Sequence, residues 1–203
     1  MLKPLTFLVS LVPFAYVLWQ VYLLQTGAPN SLSADPGKEI LLHQGEWAIR
    51  FLLITLLITP LRQLTGWNSL QKIRRMLGLF AFFYASTHLL AYVVFLLELD
   101  FANLTADIQK RPYITVGFAA YLLLVPLVIT STNRMMRKLR KNWVLLHRAI
   151  YGIGILAVTH VAWLAKSSYA DAVAYGAIVV LLLFLRVFEP KFGLFRQALK
   201  PAS

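Results

Sequence analysis

Hydrophobic positions along the chain gather into six long stretches, at roughly 7–24, 47–64, 77–97, 113–131, 144–165 and 172–188. Each comes close to the ~20 apolar residues that a helix needs to cross a bilayer. The polar segments between them are short, and none has room for a soluble catalytic domain. The pattern predicts an all-α integral membrane protein, a six-helix transmembrane bundle forming one domain over residues 1–203. The first stretch follows Lys3 as a signal peptide would. Its apolar run exceeds the ~7–15 residues of a signal h-region and no clear A-x-A site follows, so an uncleaved span is expected. Pro13, Pro60 and Pro126 fall inside the first, second and fourth stretches. Membrane helices tolerate this because neighbours re-satisfy the freed carbonyl. No internal repeat and no low-complexity segment is evident.

Composition agrees. Hydrophobic residues make up 59% of the 203, charged residues 14%, and mean hydropathy is +0.68. A soluble chain averages about 45–50% apolar and about 25% charged. With so few charges, the expected surroundings are a lipid bilayer. The absence of cysteine excludes disulfides, thiolate-bound iron–sulfur clusters and thiol catalysis.

The net charge of +12 would ordinarily raise nucleic acid as a partner. Its distribution gives another reading. The amino end, the 62–76 and 132–143 loops and the carboxyl tail hold fourteen of the twenty Lys and Arg. The 25–46, 98–112 and 166–171 loops hold four, and Arg50 and Arg148 lie within spans. Asp35, Glu39, Glu46, Glu98, Asp100, Asp107 and Asp171, seven of the eight acids, fall on this second side. By the positive-inside rule both termini are cytoplasmic. The basic excess is therefore a topology signal, and no nucleic acid is required.

The four histidines carry the chemistry. His43 lies in LLHQGEW and is expected in an interfacial loop. His88, His147 and His160 lie in the third and fifth stretches, where ionisable groups are costly and face a bundle interior or a pathway. Both stretches run outward, which puts His88 and His160 in their outer halves at similar depth. His147 sits about 20 Å below His160, at ~1.5 Å per residue. Two neutral imidazoles at one depth on adjacent helices can bind one iron from opposite faces, and a flat apolar porphyrin fits between helices. Gly152, Gly154, Ala157 and Ala162, with Ala81, Ala85, Ser86 and Ala91, are small enough to make room. Zinc would want three or four ligands at one depth. On an ideal helix His147 and His160 point about 140° apart. They serve different faces unless a π-bulge or a glycine-assisted distortion changes the phase. The GIGILA segment at 152–157 matches a dinucleotide fingerprint but sits inside an apolar helix rather than after a strand, so it reads as close packing.

At the inner side, Arg74 and Arg75 open the third stretch and Arg148 follows His147. Their forked guanidinium groups suit heme propionates or a flavin phosphate, and Trp143 could stack on a flat ring. For Arg74 and Arg75, headgroup contact is an equal reading. The basic run RMMRKLRK at 134–141 is chiefly a topology element.

RRMLGLFAFFYASTHLLAY in the third stretch and NRMMRKLRKNWVLLHRAIYGIGILAVTHV entering the fifth resemble the MsrQ (YedZ) family. These are heme-binding membrane subunits of bacterial protein-methionine-sulfoxide reductase systems, within the ferric-reductase-like transmembrane superfamily. The resemblance covers essentially the whole chain. It implies a multi-pass protein of the bacterial cell inner membrane that carries b-type heme and, by family resemblance, FMN. Electrons would come from the quinone pool or a cytoplasmic flavin reductase. They would pass to a periplasmic molybdopterin-containing methionine sulfoxide reductase subunit that repairs oxidised envelope proteins. His88, His147 and His160 would be the heme-associated, metal-binding histidines, with Arg74, Arg75 and Arg148 beside the cofactors. The wider superfamily usually carries two histidines on each of these helices. Here Arg74 stands fourteen residues before His88, which puts a second bis-histidine heme in doubt and leaves room for an inner flavin.

The chain would be an electron-transfer subunit rather than the catalytic one. A transmembrane ferric or quinone reductase of the same superfamily is the alternative, although the flavin and nicotinamide domain would then be a separate polypeptide. A histidine-relay proton-coupled transporter is a more distant reading, since no acid lies mid-span and no inverted repeat is evident.

Overall fold

The computed structural model describes residues 2–164 and 169–198, with side chains as far as Leu185 apart from Asn103. Among them every regular element is helical: α1 (Leu2–Gln25), α2 (Pro36–Thr65), α3 (Gln71–Ala91), α4 (Ala102–Lys110), α5 (Pro112–Ile129), α6 (Asn133–Leu139), α7 (Lys141–His147), α8 (Ala149–Leu164) and α9 (Ala170–Ala198). A 3₁₀ turn, Asn68–Leu70, leads into α3, and a π-helical segment, Tyr92–Leu96, continues it. Five helical segments are long and apolar enough to cross a membrane: Leu2–Gln25, Pro36–Thr65, Asn68–Leu96, Pro112–Ile129 and Lys141–Leu164. The expected sixth corresponds to Ala170–Leu185, which is apolar but falls short of that length among the described residues.

α2 begins eleven residues before the apolar stretch that announced it, so His43 lies on a helix and not in a loop. Local chemistry explains the start. Asp35 Oδ1 accepts from the Lys38 amide at 3.1 Å, Pro36 opens the helix, and the Glu39 carboxylate takes the Ser33 amide. His43 Nε2 meets the Pro13 carbonyl at 3.4 Å and its ring lies against Tyr16.

α2, α3, α5 and α8 form the centre. α3 packs on α2 and α5, and α8 packs on α5 and α2, so α3 and α8 stand diagonally across the group. α1 lies against α2 and α3, while α9 lies against α8 and α2. The central cluster joins Phe51 of α2, Phe80 and Tyr84 of α3, Leu124 of α5 and Ile153 of α8. Tyr84 is fully buried and stacks on Phe51 with centroids 5.2 Å apart and planes at 9°. Its hydroxyl donates to the Ser10 carbonyl at 2.7 Å and accepts from the Phe14 amide at 3.1 Å. Proline in a helix interior disturbs the backbone ladder around it. Here a neighbouring helix satisfies the groups flanking Pro13.

Of the GIGILA glycines, Gly154 packs against Leu56 of α2 and Val179 of α9, whereas Gly152 is exposed with nothing within 4 Å of a Cβ added there, so the close-packing reading holds for Gly154 alone. Ala81 and Ala91 are buried in apolar clusters. They make close helix contacts rather than an open slot.

Candidate functional site

His88 extends from α3 and His160 from α8, and their ring centres lie 6.2 Å apart with planes at 83°. Each ring gives its Nδ1 to a backbone carbonyl of a third helix. His88 donates to Leu41 O at 2.8 Å and His160 to Tyr113 O at 2.6 Å. A carbonyl only accepts, so both Nδ1 atoms carry the proton and each Nε2 keeps its lone pair. Metal-bound histidines characteristically show this arrangement, with one nitrogen held by an oxygen and the other free for the metal.

The spacing suits one iron between the rings. Two metal–nitrogen bonds of about 2 Å each take up about 4 Å. The 6.2 Å between ring centres leaves room for such an iron where both Nε2 atoms are directed at it. A b-type heme fits the chemistry of this donor pair, which is neutral, nitrogenous and set among apolar helices. Among the described residues no group of three or more His, Asp and Glu comes together, so a zinc site of that kind does not form there.

The two seats repeat. Leu41 is followed four residues later by Gly45, which touches the His88 ring, and Tyr113 is followed by Gly117, which touches the His160 ring. In both cases the carbonyl and the histidine are 47 residues apart. The hairpins α2–α3 and α5–α8 thus correspond in register, and both histidines end the motif Ala-x-Thr-His (Ala85–His88 and Ala157–His160). The correspondence is limited to these positions, since α6 and α7 intervene between α5 and α8. Few identities mark it, and the apolar character common to all these helices hides it. Gly45, Gly117, Leu41 and Tyr113 were missed because glycine in an apolar helix gives no chemical signal and a carbonyl gives none at all. The available clue was that each glycine precedes its histidine by the same interval.

His147 is held differently. The Thr130 hydroxyl lies 2.6 Å from Pro126 O and 3.1 Å from His147 Nε2, and its single proton can go to either. The His147 ring stacks on Trp143, with centroids 4.0 Å apart and planes at 26°. The Trp143 indole caps α5 by donating to Thr130 O at 3.0 Å. The helix breaks immediately after His147. Arg148 lies between α7 and α8, and its amide is shared by Val144 O and Leu145 O, each at 3.2 Å. Arg148 nevertheless keeps helical dihedrals, φ −66° and ψ −20°, and His147 and His160 meet different neighbours, Thr130 and Tyr113.

The arginines divide. Arg74 is close enough for its charge to act on His147. Arg75 donates to the Asn133 side chain at the start of α6. Arg148 is exposed at the helix break. The structure brings Trp143, Thr130 and His147 together with Arg74 near enough to act on His147, and turns Arg75 to the start of α6. In the register of the repeat, Arg75 occupies on α3 the position of His147 on α7.

A bundle of apolar helices with two histidines facing each other across its centre defines a class of membrane protein built to hold a cofactor in the bilayer. Residues 44–158 match the family described as "Ferric reductase like transmembrane component", a range that includes His88 and His147 and stops just before His160. The chain belongs to this family, and within it to the MsrQ heme-binding subunits. It is 51% identical over 187 residues to the protein-methionine-sulfoxide reductase heme-binding subunit MsrQ of Xanthomonas euvesicatoria pv. vesicatoria (strain 85-10), covering 92% of this chain and 86% of that one. With the protein of the same name from Xanthomonas campestris pv. campestris (strain 8004) it shares 52% over 179 residues, 88% of this chain and 82% of the relative. With that of Bordetella parapertussis it shares 46% over 188 residues, 92% and 88%. No solved structure matches the chain. It is a multi-pass membrane protein.

Proposed function

We propose that the chain is the membrane electron-transfer subunit of a protein-methionine-sulfoxide reductase system and that His88 and His160 hold a b-type heme between them. The observation that carries this reading is the facing pair, with both Nδ1 atoms tied to carbonyls and ring centres 6.2 Å apart. The name shared by the relatives, a heme-binding subunit, supports it.

When bound, the heme supplies an iron that takes up and releases one electron. The protein's part is to ligate, orient and insulate. Leu41 O and Tyr113 O fix the tautomer and rotation of the two rings. The apolar helices around them keep the surroundings low in dielectric and exclude water.

The rest of the path is proposed on the family likeness and the charge pattern. Six spans form one domain over residues 1–203, in the bacterial inner membrane, with both termini cytoplasmic. Electrons arrive from the quinone pool or a cytoplasmic flavin reductase. They leave to a periplasmic molybdopterin-containing methionine sulfoxide reductase subunit, which repairs oxidised envelope proteins. His147, Arg74, Arg75 and Arg148 serve the inner end, where Arg74 beside the Trp143–His147 stack suits an anionic, flat cofactor such as FMN. A reduced-minus-oxidised absorption spectrum of the purified protein tests the central claim. A dithionite-reducible b-type heme is expected, and a folded but colourless protein would end the reading.

A further inference from the structure

We propose that Gly45 and Gly117 are positioning residues, a matched pair of seats that set the orientation of His88 and His160 and hence the coordination of the metal between them. This rests on the heme reading above but concerns residues outside the ligand set.

The geometry is the same twice. A helix carbonyl is normally screened by the side chains of the following turn. Leu41 O and Tyr113 O are reached by a ring from another helix because the residue one turn later has no side chain. A Cβ at position 45 would lie 2.9 Å from His88 Nδ1 and 3.0 Å from its Cε1. A Cβ at position 117 would lie 2.6 Å from His160 Nδ1 and 2.8 Å from its Cε1. Both sets fall inside van der Waals contact, and the intruding atom would strike the edge of the ring that makes the hydrogen bond. The ring would have to swing away from its carbonyl. It would then lose the bond that keeps the proton on Nδ1 and the lone pair on Nε2.

Other glycines of the bundle differ. A Cβ at Gly154 would meet its nearest neighbour, Leu56 Cδ1, at 3.7 Å, and one at Gly78 would meet Thr55 Cγ2 at 3.6 Å. Both are ordinary contacts with apolar methyl groups. Among the described residues three glycines would bring a Cβ within 3.0 Å of a neighbour: Gly37, against the Phe95 side chain at 2.9 Å, and the two that stand behind the histidines, whose neighbour is an imidazole. The latter two also share one register in the two hairpins, each 43 residues before its histidine. Chance packing would not place the only histidine-backing glycines of the described helices at corresponding positions. The steric demand is larger at Gly117, so His160 is the more sensitive ligand.

The test is a set of single alanine variants in the full-length chain: Gly45→Ala and Gly117→Ala, with Gly78→Ala and Gly154→Ala as controls. Each is purified in detergent, and heme per chain, ligation state by optical and electron paramagnetic resonance spectra, and midpoint potential are read. Groups that orient a metal ligand typically change affinity about 10–100-fold when removed. Gly45→Ala and Gly117→Ala are expected to weaken heme retention on that scale, with a shifted midpoint potential and part of the signal turning from six-coordinate low-spin to five-coordinate high-spin. Gly117→Ala should be the more severe, and the controls should match the parent. The proposal is overturned if both seat variants keep the parent spectrum and potential, or if Gly78→Ala and Gly154→Ala disturb them equally. Failure of both seat variants to accumulate, with the controls accumulating normally, also counts against it, because the glycines would then serve the fold and not the pair. A colourless parent protein would instead sink the heme reading. A heme-loaded parent that loses its spectrum in His88→Ala and His160→Ala but not in the glycine variants would sink this inference alone.

Discussion

His88 and His160 belong to helices that stand diagonally in the bundle, yet their ring centres are 6.2 Å apart, and a carbonyl of α2 holds one ring while a carbonyl of α5 holds the other. Neither histidine is placed by its own helix alone.

The first prediction concerns that pair. His88→Ala and His160→Ala each remove one of two facing nitrogens. Each should abolish the reduced b-type spectrum or leave a five-coordinate, high-spin species. Optical and electron paramagnetic resonance spectra of the purified variants provide the check. Retention of native six-coordinate heme by both variants would mean the ligands lie elsewhere.

The second concerns Tyr84. Its hydroxyl is the partner of both Ser10 O and Phe14 N, beside Pro13. Tyr84→Phe keeps the ring and its stack on Phe51 but leaves two buried backbone groups without that partner. An unsatisfied buried group costs about 1–3 kcal/mol. A destabilisation of that size is expected in denaturant titrations in detergent. In a Pro13→Ala background the helix can close its own ladder, so the same substitution should cost clearly less. Coupling energies of contacting residues run about 0.5–3 kcal/mol, and a cycle giving none would refute the repair role of the hydroxyl.

These two cases also mark what the sequence discloses. The helices were legible because an apolar run of bilayer length has few alternatives. The bounds were less so. α2 starts at Pro36 because Asp35, Pro36 and Glu39 make a helix start that a hydropathy window passes over. His88 and His160 were legible as a pair because depth follows from counting residues along two outward-running helices. Their seats were not, since a carbonyl carries no side-chain signature and Gly45 and Gly117 matter only through what approaches them. The interruption at Arg148 was not legible, because an amide shared by Val144 O and Leu145 O has no side-chain signature.

The third prediction is topological. Lys and Arg favour the loops that share a side with the termini, by fourteen to four. Loop charge sets orientation in short-looped membrane proteins. A green fluorescent protein joined to the carboxyl terminus should fluoresce, and alkaline phosphatase inserted in the 98–112 loop should be active. The opposite pair of results would invert the bundle, and with it the assignment of donor and acceptor sides.

The fourth prediction separates His147 from the facing pair. Its Nε2 lies against the Thr130 hydroxyl, which also reaches Pro126 O, and its ring is stacked on Trp143. Thr130→Val keeps the branched shape and removes both hydroxyl bonds. A typical intramolecular hydrogen bond contributes about 0.5–1.5 kcal/mol, so a modest loss of stability in the same titrations is expected. The spectrum of heme held by His88 and His160 should not change, nor should it in His147→Ala. Binding of FMN should weaken in His147→Ala if the stack at Trp143 serves the inner cofactor, which fluorescence titration of the purified variant would measure. A changed six-coordinate heme signal in either variant would bring His147 into the coordination of the facing pair.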